Sequence, residues 1–438
     1  YRLTMTNSTH QKVHLIGIGG IGISALARLY VHQGVSVSGT NDTESPKTLD
    51  ALRSAGVSIA IGTDDANEKL IPSDVDLIVY SDAWPKMAPH FMERVKALGK
   101  PMQSYFEALG EAAQGYRVVA VSGTHGKTTT TGMIGKILSD AGVSPTVIVG
   151  SIVADFGSNF VPGDSDIFVV EADEYMKHFL NFNPEVLVIN NIEHDHTDFY
   201  PTLADMQEAF GELARRVPSN GAIVTTMQGK NIALVLQSIS APVTDYAAIS
   251  VPELKLIGEF NKNNARAAKT AALAIAPHIP EADIDASLAA FKGSWRRFEY
   301  KGVTNEGALV YDDYAHHPTA VLETLRGVKE RFPDKRITAV FQPHLYSRTR
   351  DLLDEFAHAF SDAANVFIAP IFAAREQPIP GITNEVVAEK IRMVRGEAVA
   401  LSSFEEIESL VHKACGEKDL IITMGAGNIY TVAESLTK

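Results

Sequence analysis

At 438 residues the chain is longer than one hydrophobic core usually serves, which predicts two or three domains, with three as the working number. Hydrophobic residues at 45% and charged residues at 21% exclude a disordered or fibrous protein. A formal net charge of −14 without a long Lys/Arg run argues against a nucleic-acid or anionic-membrane surface, and a single cysteine, Cys415, excludes a disulfide framework and a multi-cysteine zinc site.

The polar stretch from Tyr1 to Lys12 is expected to be a frayed terminus, and no apolar run nears the roughly 20 residues that span a bilayer. KVHLIGI (Lys12 to Ile18) predicts a strand ending in glycines, and the apolar spacing of ISALARLYVHQG predicts the helix after it. The turn between them, Gly17-Ile18-Gly19-Gly20-Ile21-Gly22, matches G-x-G-x-x-G, which brings backbone N–H groups close to a phosphate at a helix start. VSVSGT (Val35 to Thr40), VSIAIG (Val57 to Gly62) and VDLIVYS (Val75 to Ser81) predict further strands of a parallel, doubly wound sheet. On this loop alone a nicotinamide-dependent dehydrogenase stays open, with Asn41 and Asp42 where an acid would meet a ribose; a structural glycine turn is the plainer alternative.

RVVAVSG (Arg117 to Gly123) predicts a second strand–turn–helix unit, with Met133, Ile134, Ile137 and Leu138 on one helix face. Its turn, Gly123-Thr124-His125-Gly126-Lys127-Thr128-Thr129, is the strongest signal in the chain. Glycines admit phosphate oxygens to backbone N–H groups, Lys127 suits the β- and γ-phosphates, and the hydroxyl of Thr128 or Thr129 suits Mg2+, although the loop is shorter than the usual G-x-x-x-x-G-K-S/T. DIFVVEA (Asp166 to Ala172) and VLVINNI (Val186 to Ile192) predict buried strands. Their ends deliver Glu171-Ala172-Asp173-Glu174 and Asn191-Ile192-Glu193-His194-Asp195-His196, where carboxylates suit a hard cation and an imidazole a second ion; solvated loops are the plainer reading.

AAKTAALAIA and DASLAAF predict helices, and GSWRRFEY (Gly293 to Tyr300) opens a third domain with strands in ALVYDDY, RITAVFQPH, NVFIAPI and DLIITMGAG. At strand ends, the stretches Asp312 to Pro318 and Gln342 to Arg350 mix donors and cations suited to an amino acid's carboxylate and ammonium groups. Arg296 and Arg297 suit a transferring phosphoryl group, or are simply solvated.

From the GIGGIGIS loop to the GAGNIY stretch the chain resembles the Mur ligase family, and HLIGIGGIGIS, VSGTHGKTTTT, DDYAHHPT and FQPHLYSRTR resemble its alanine-adding branch. The resemblance implies an α/β protein of three domains: a Rossmann-like UDP-sugar domain (1–114), a P-loop ATPase-like central domain (115–296) and a Rossmann-like amino-acid domain (297–438). It implies ATP-dependent coupling of L-alanine to the lactyl carboxylate of UDP-N-acetylmuramate through an acyl phosphate, in peptidoglycan precursor synthesis. ATP with Mg2+, or Mn2+, would be the cofactors, and a cytoplasmic monomer or homodimer without nucleic-acid or membrane partners is expected. A ligase recycling a murein tripeptide onto the same nucleotide, and an inactive nucleotide-binding scaffold, are the alternatives.

Carried over by motif, Gly123, Thr124, His125, Gly126, Lys127, Thr128 and Thr129 hold ATP, Thr128 and Glu171 one Mg2+, and His196 a second. Asn261 and Asn264, in GEFNKNNARAA, fall beside adenine, Asp312 at a nucleotide contact, and Arg297 at the γ-phosphate. Gly19, Gly20, Ile21, Gly22 and Ser81 fall at the UDP-sugar site, and Tyr314, His316, His344 and Arg348 at the alanine site. Lys127, His196 and Arg297 would carry catalysis, with the amine's base left open among His196, His194 and His316, and a hinge is expected near Gly293 to Arg297. Four departures stand out: Leu345 where many relatives have arginine, Asn41 for an aspartate, EADEYMKHFL without the serine that follows the second acid, and a short stretch from Thr244 to Gly258 that predicts fewer peripheral strands. No lysine lies between Lys177 and Lys230, which disfavours the branches that use a carbamylated lysine there.

Overall fold

The computed structural model describes residues 10–62, 70–229, 231–374 and 376–438; residues 1–9 of the expected frayed start lie outside the described residues. The first sheet contains β1 (Lys12–Ile16), β2 (Ser36–Asn41), β3 (Ser58–Ile61), β4 (Leu77–Tyr80) and β5 (Met102–Ser104). All are parallel, in the order β3-β2-β1-β4-β5. Because the order reverses between β1 and β4, the glycine loop after β1 and Ser81 after β4 meet at the carboxyl-end crevice, where open α/β sheets bind ligands.

The second sheet contains β6 (Arg117–Ser122), β7 (Thr146–Val153), β8 (Ser158–Val161), β9 (Ile167–Glu171), β10 (Val186–Ile189), β11 (Ala222–Thr225) and β12 (Val243–Asp245). Its order is β12-β11-β10-β6-β9-β7-β8, parallel except for the β7–β8 pair. Central β6 is flanked by β10 and β9, so the ends of those two strands deliver their polar groups on either side of the loop that follows β6. After β12 the chain is irregular, with no strand up to residue 258.

The third sheet contains β13 (Glu299–Val303), β14 (Leu309–Asp313), β15 (Arg336–Phe341), β16 (Asn365–Ile368), β17 (Val399–Ala400) and β18 (Asp419–Met424), ordered β13-β14-β18-β15-β16-β17 with only β13 antiparallel. Alternation sorts its side chains. Ile337, Ala339, Phe341, Leu420 and Ile422 face a core with Val321, Leu325, Val387 and Ile391 from helices Pro318–Arg331 and Asn384–Arg395. Val340 and Ile421 face the opposite core with Ile407, Val411 and Val432 from helices Phe404–Ala414 and Tyr430–Leu436. Burial on both faces, about 1.5–3 kcal/mol for each large aliphatic side chain, explains why these strands are continuously apolar.

By compactness the chain divides into two units. The first runs up to Ile192 and includes Gln207–Val251 and Arg266–Leu288; the second is Glu193–Met206, Pro252–Ala265 and Ala289–Lys438. Among the described residues, no helix is long and apolar enough to cross a membrane.

Candidate active site

In the first unit, the turn after β1 has one glycine that needs a left-handed backbone and two that leave room for a neighbour. Gly17 has φ +79°, and a Cβ there would lie 2.3 Å from Trp84 Nε1 and 3.1 Å from Ser81 Cβ. A Cβ on Gly19 would strike Asn41, and one on Gly22 would strike the Tyr105 ring. Ser81 N–H donates to Ile16 O at 3.0 Å, which pins the β4 end to this turn. The amide of Asn41 is used at both ends: Oδ1 accepts from Gly19 N–H (3.0 Å) and Nδ2 donates to Thr43 O (2.7 Å). An aspartate could make only the first bond, so the asparagine locks the loop and presents no carboxylate to a ribose.

The turn after β6 is braced from β10. Gly123 (φ +130°) leaves no space for a Cβ, which would lie 3.0 Å from Asn191 O, and Gly126 (φ +83°) precedes helix Lys127–Asp140. Asn191 Oδ1 accepts from His125 N–H (2.9 Å), Asn191 Nδ2 and Asn190 Nδ2 both donate to His125 O (3.2 Å), and Thr124 N–H donates to Asn191 O (3.2 Å). Lys127 Nζ donates to Gly123 O (2.7 Å) and to both oxygens of Glu174 (2.9 and 2.7 Å). Burial works against the charged form of Lys127, but Glu174, Asp173 and Glu171 outweigh it and hold the ammonium above its ordinary range. Thr128 Oγ1 donates to Glu171 Oε1 (2.9 Å), whose Oε2 accepts from Gly150 N–H (2.7 Å). A hydroxyl and a carboxylate oxygen in contact at a helix start form the hard-oxygen donor set that suits Mg2+. Thr129 is buried one residue further along the same helix.

In the second unit, Asp195 is the hub. Its Oδ1 accepts from His196 N–H (2.7 Å) and from Arg348 Nη2 (2.8 Å) and Nε (3.1 Å). Burial would raise this carboxyl, but the Arg348 cation holds it well below the usual range. His196 has φ +54°, unusual for a non-glycine residue, and its carbonyl accepts from Phe199 and Tyr200 N–H, both at 2.8 Å. Arg348 Nη1 lies 3.2 Å from His344 Nδ1, and the His344 ring stacks on Phe372 and lies 6.0 Å from His316. The four residues expected at the alanine site thus come together, since Tyr314 meets His316 edge-on at 5.3 Å. Burial, then the Arg348 charge, lowers His316 well below the usual imidazole range, so it is a neutral acceptor at Nε2 while Nδ1 donates to Tyr314 O. His194 instead donates its Nε2 proton to Tyr200 O (2.8 Å).

Leu345, expected from the family resemblance to replace an arginine, is buried, with φ +68° and its N–H bonded to Phe372 O (3.0 Å). Of the two arginines that could replace it, Arg348 lies inside the cluster and Arg350 pairs with Asp351 on the surface. Arg296 and Arg297 also separate. Arg296 is buried, bonded to Asp312 Oδ2 (2.8 Å), Gly427 O (2.8 Å) and Gly425 O (2.6 Å), whereas Arg297 is partly exposed over the Tyr314 ring at 4.9 Å. Asp312 is fully buried with its other oxygen on Thr423 Oγ1 (2.6 Å), and burial pushes its carboxyl up, so a nucleotide contact there requires exchange of these bonds. Asn261 and Asn264 are buried and linked, Asn264 Nδ2 donating to Asn261 Oδ1 (3.2 Å) and Asn261 Nδ2 to Ile257 O (2.8 Å). Sequence reasoning gave no separate role to Glu174, Asp195 or Asn190, the acids being visible only as members of charge clusters, and it expected Arg296 at a phosphoryl group or in solvent rather than buried on Asp312.

Three family models cover most of the chain: "Mur ligase family, catalytic domain" over residues 12–117, "Mur ligase middle domain" over 121–251 and "Mur ligase, glutamate ligase domain" over 296–427. The UDP-N-acetylmuramate–L-alanine ligase of Lachnospira eligens is 37% identical over 469 residues, covering 100% of both chains. The crystal structure of UDP-N-acetylmuramate-alanine ligase from Thermotoga maritima matches with a TM-score of 0.78 at 25% identity, over 98% of each chain. A murein peptide ligase from Psychrobacter arcticus matches with a TM-score of 0.72 at 26% identity, over 97% of this chain and 98% of that one.

Proposed function

The chain belongs to the Mur ligase family, and from that membership we propose that it joins L-alanine to the lactyl carboxylate of UDP-N-acetylmuramate, with ATP as phosphoryl donor, in peptidoglycan precursor synthesis. The observation that carries the reading is full-length similarity to alanine-adding ligases combined with a phosphate loop whose lysine, Lys127, is held at a helix start by Glu174.

The γ-phosphoryl group passes to the lactyl carboxylate, giving an acyl phosphate and ADP; the alanine amine then attacks the acyl carbon and phosphate leaves. For the first step, the loop from Gly123 to Thr129 aligns backbone N–H groups with phosphate oxygens, and Lys127 exchanges Glu174 for the terminal phosphates. We assign Arg297 to the same charge, Asn261, Asn264 and Asp312 to the nucleotide, and Gly19, Gly20, Ile21, Gly22 and Ser81 to the UDP-sugar. Thr128 and Glu171 would hold one Mg2+ and His196 a second; when bound, Mg2+ offsets phosphate charge. For the second step, Arg348, fixed by Asp195, would take the alanine carboxylate, with His344, His316 and Tyr314 lining its place. We propose domains at 1–114, 115–296 and 297–438 and a cytoplasmic monomer or homodimer.

The test is phosphate release from ATP and Mg2+ with UDP-N-acetylmuramate, offering L-alanine, other amino acids or the murein tripeptide in turn. Release that requires both L-alanine and the nucleotide sugar supports the proposal. Release with the tripeptide alone moves the chain to the recycling branch, and no release with any amine overturns the ligase reading.

A further inference from the structure

Inside the first unit His178 stands between the residues that follow β4 and β9. Its Nε2 lies 4.0 Å from Asp82, the residue after Ser81, and its Nδ1 lies 3.7 Å from Asp173, the residue before Glu174. The ring stacks on Phe106 with centroids 3.9 Å apart and planes 13° from parallel, and Tyr175 meets its edge. The side chain is 11% exposed, and Nδ1 is buried without a hydrogen-bond partner.

The backbone is strained to put it there. Met176 and Lys177 have φ +51° and +59°, left-handed values that disfavour non-glycine residues by about 1–3 kcal/mol each. The segment is tied down on both sides: Lys177 N–H donates to Glu174 O (3.0 Å), Phe179 N–H to Asp173 O (2.8 Å), and the buried Phe179 ring packs edge-on against Phe210. This strained turn falls in the EADEYMKHFL stretch, and its outcome is an imidazole aimed at the ends of β4 and β9.

A substrate whose UDP lies on the Gly17–Gly22 loop and whose carboxylate is phosphorylated at the Lys127 loop must set that carboxylate in this region. Asp82, Asp173 and Glu171 already stand there around the half-buried Tyr105 ring, so an incoming anion meets repulsion unless a donor receives it. We propose that His178 binds the lactyl carboxylate of UDP-N-acetylmuramate and is the residue by which this chain separates that substrate from the same nucleotide sugar without the lactyl group. The inference rests on the function proposed above.

The experiment is calorimetric binding, without ATP, of UDP-N-acetylmuramate and of UDP-N-acetylglucosamine, which lacks the lactyl ether, to the full chain and to His178→Ala and His178→Gln. Wild type should favour the lactyl-bearing nucleotide. His178→Ala should lose roughly tenfold or more of that affinity, the scale of a charge-assisted hydrogen bond, while holding UDP-N-acetylglucosamine within about twofold. ADP binding reports an intact central loop; if His178→Ala loses it, the comparison is read in His178→Gln, whose amide keeps a donor at a different reach and should give an intermediate loss. Equal losses for both nucleotides, or none for either, overturn the inference. Wild type that binds both nucleotides equally also overturns it, whereas wild type that binds neither overturns the ligase reading itself.

Discussion

Lys127 and Glu174 form an ion pair with side chains only 14% and 1% exposed, so removing either partner leaves a buried charge. Lys127→Ala should abolish alanine-dependent phosphate release by at least ~100-fold and also lower stability by about 3 kcal/mol, because the Glu174 carboxylate is stranded. Urea unfolding separates the two effects: adding Glu174→Gln should restore most of the stability and none of the activity. Asp195→Asn tests the second hub. The amide offers Arg348 a neutral acceptor in place of a carboxylate, so KM for L-alanine should rise about tenfold while KM for ATP stays within about twofold, measured by steady-state phosphate release. Lys127 and Thr128 were legible because adjacent residues create their pattern, and Glu171 because it ends an apolar run. Their partners were not: Glu174 is 47 residues from Lys127, and Asp195 is 153 residues from Arg348, a pairing that only the fold brings about.

The same limit appears among whole elements. The buried strands β1, β6, β9, β10, β15 and β18 read directly as short apolar runs, since a sheet covered on both faces needs no alternation. The missed ones are mostly edges: β12 is exposed throughout, β5 is three half-buried residues and β17 only two residues. β7, TVIVGSIV, is an interior strand whose β-branched run also marks it as a strand. Inside β1, His14 faces β2 in register with Ser38, its Nδ1 2.8 Å from Ser38 Oγ and its Nε2 3.3 Å from Thr40 Oγ1. Burial pushes this imidazole down to about 4 from its ordinary 6.5. A depressed folded-state value means that the unfolded chain takes up the proton first. The stability is therefore intact above pH 6.5 and is lost as pH falls from there toward 4. That interval corresponds to about 3 kcal/mol. Denaturant titrations at pH 7 and pH 4 should show a component of this size in wild type that is missing in His14→Leu, whatever the variant's absolute stability.

For the molecule as a whole, the three sheets were legible because each repeats strand, loop and helix. The division into two compact units was not, because residues 193–206 and 252–265 lie in sequence within the central segment and pack with the C-terminal one. A linear boundary cannot express that exchange, and it is why His196, which follows a central strand in sequence, belongs to the unit that contains Arg348. Charge poses a second whole-molecule question. A chain with net charge −14 that gathers ATP and a nucleotide sugar opposes its own substrates at long range and attracts them only through local donors such as Lys127 and the loop N–H groups. Salt screens the long-range repulsion first, because the Debye length falls to about 10 Å at 0.1 M, while buried contacts are screened much less. Raising NaCl from about 20 to about 200 mM should therefore leave the Kd for UDP-N-acetylmuramate unchanged or lower it. A site built on a basic surface would weaken instead, and a severalfold rise in Kd by calorimetry would show that the nucleotide sugar is drawn in by exposed cations rather than by the glycine loop.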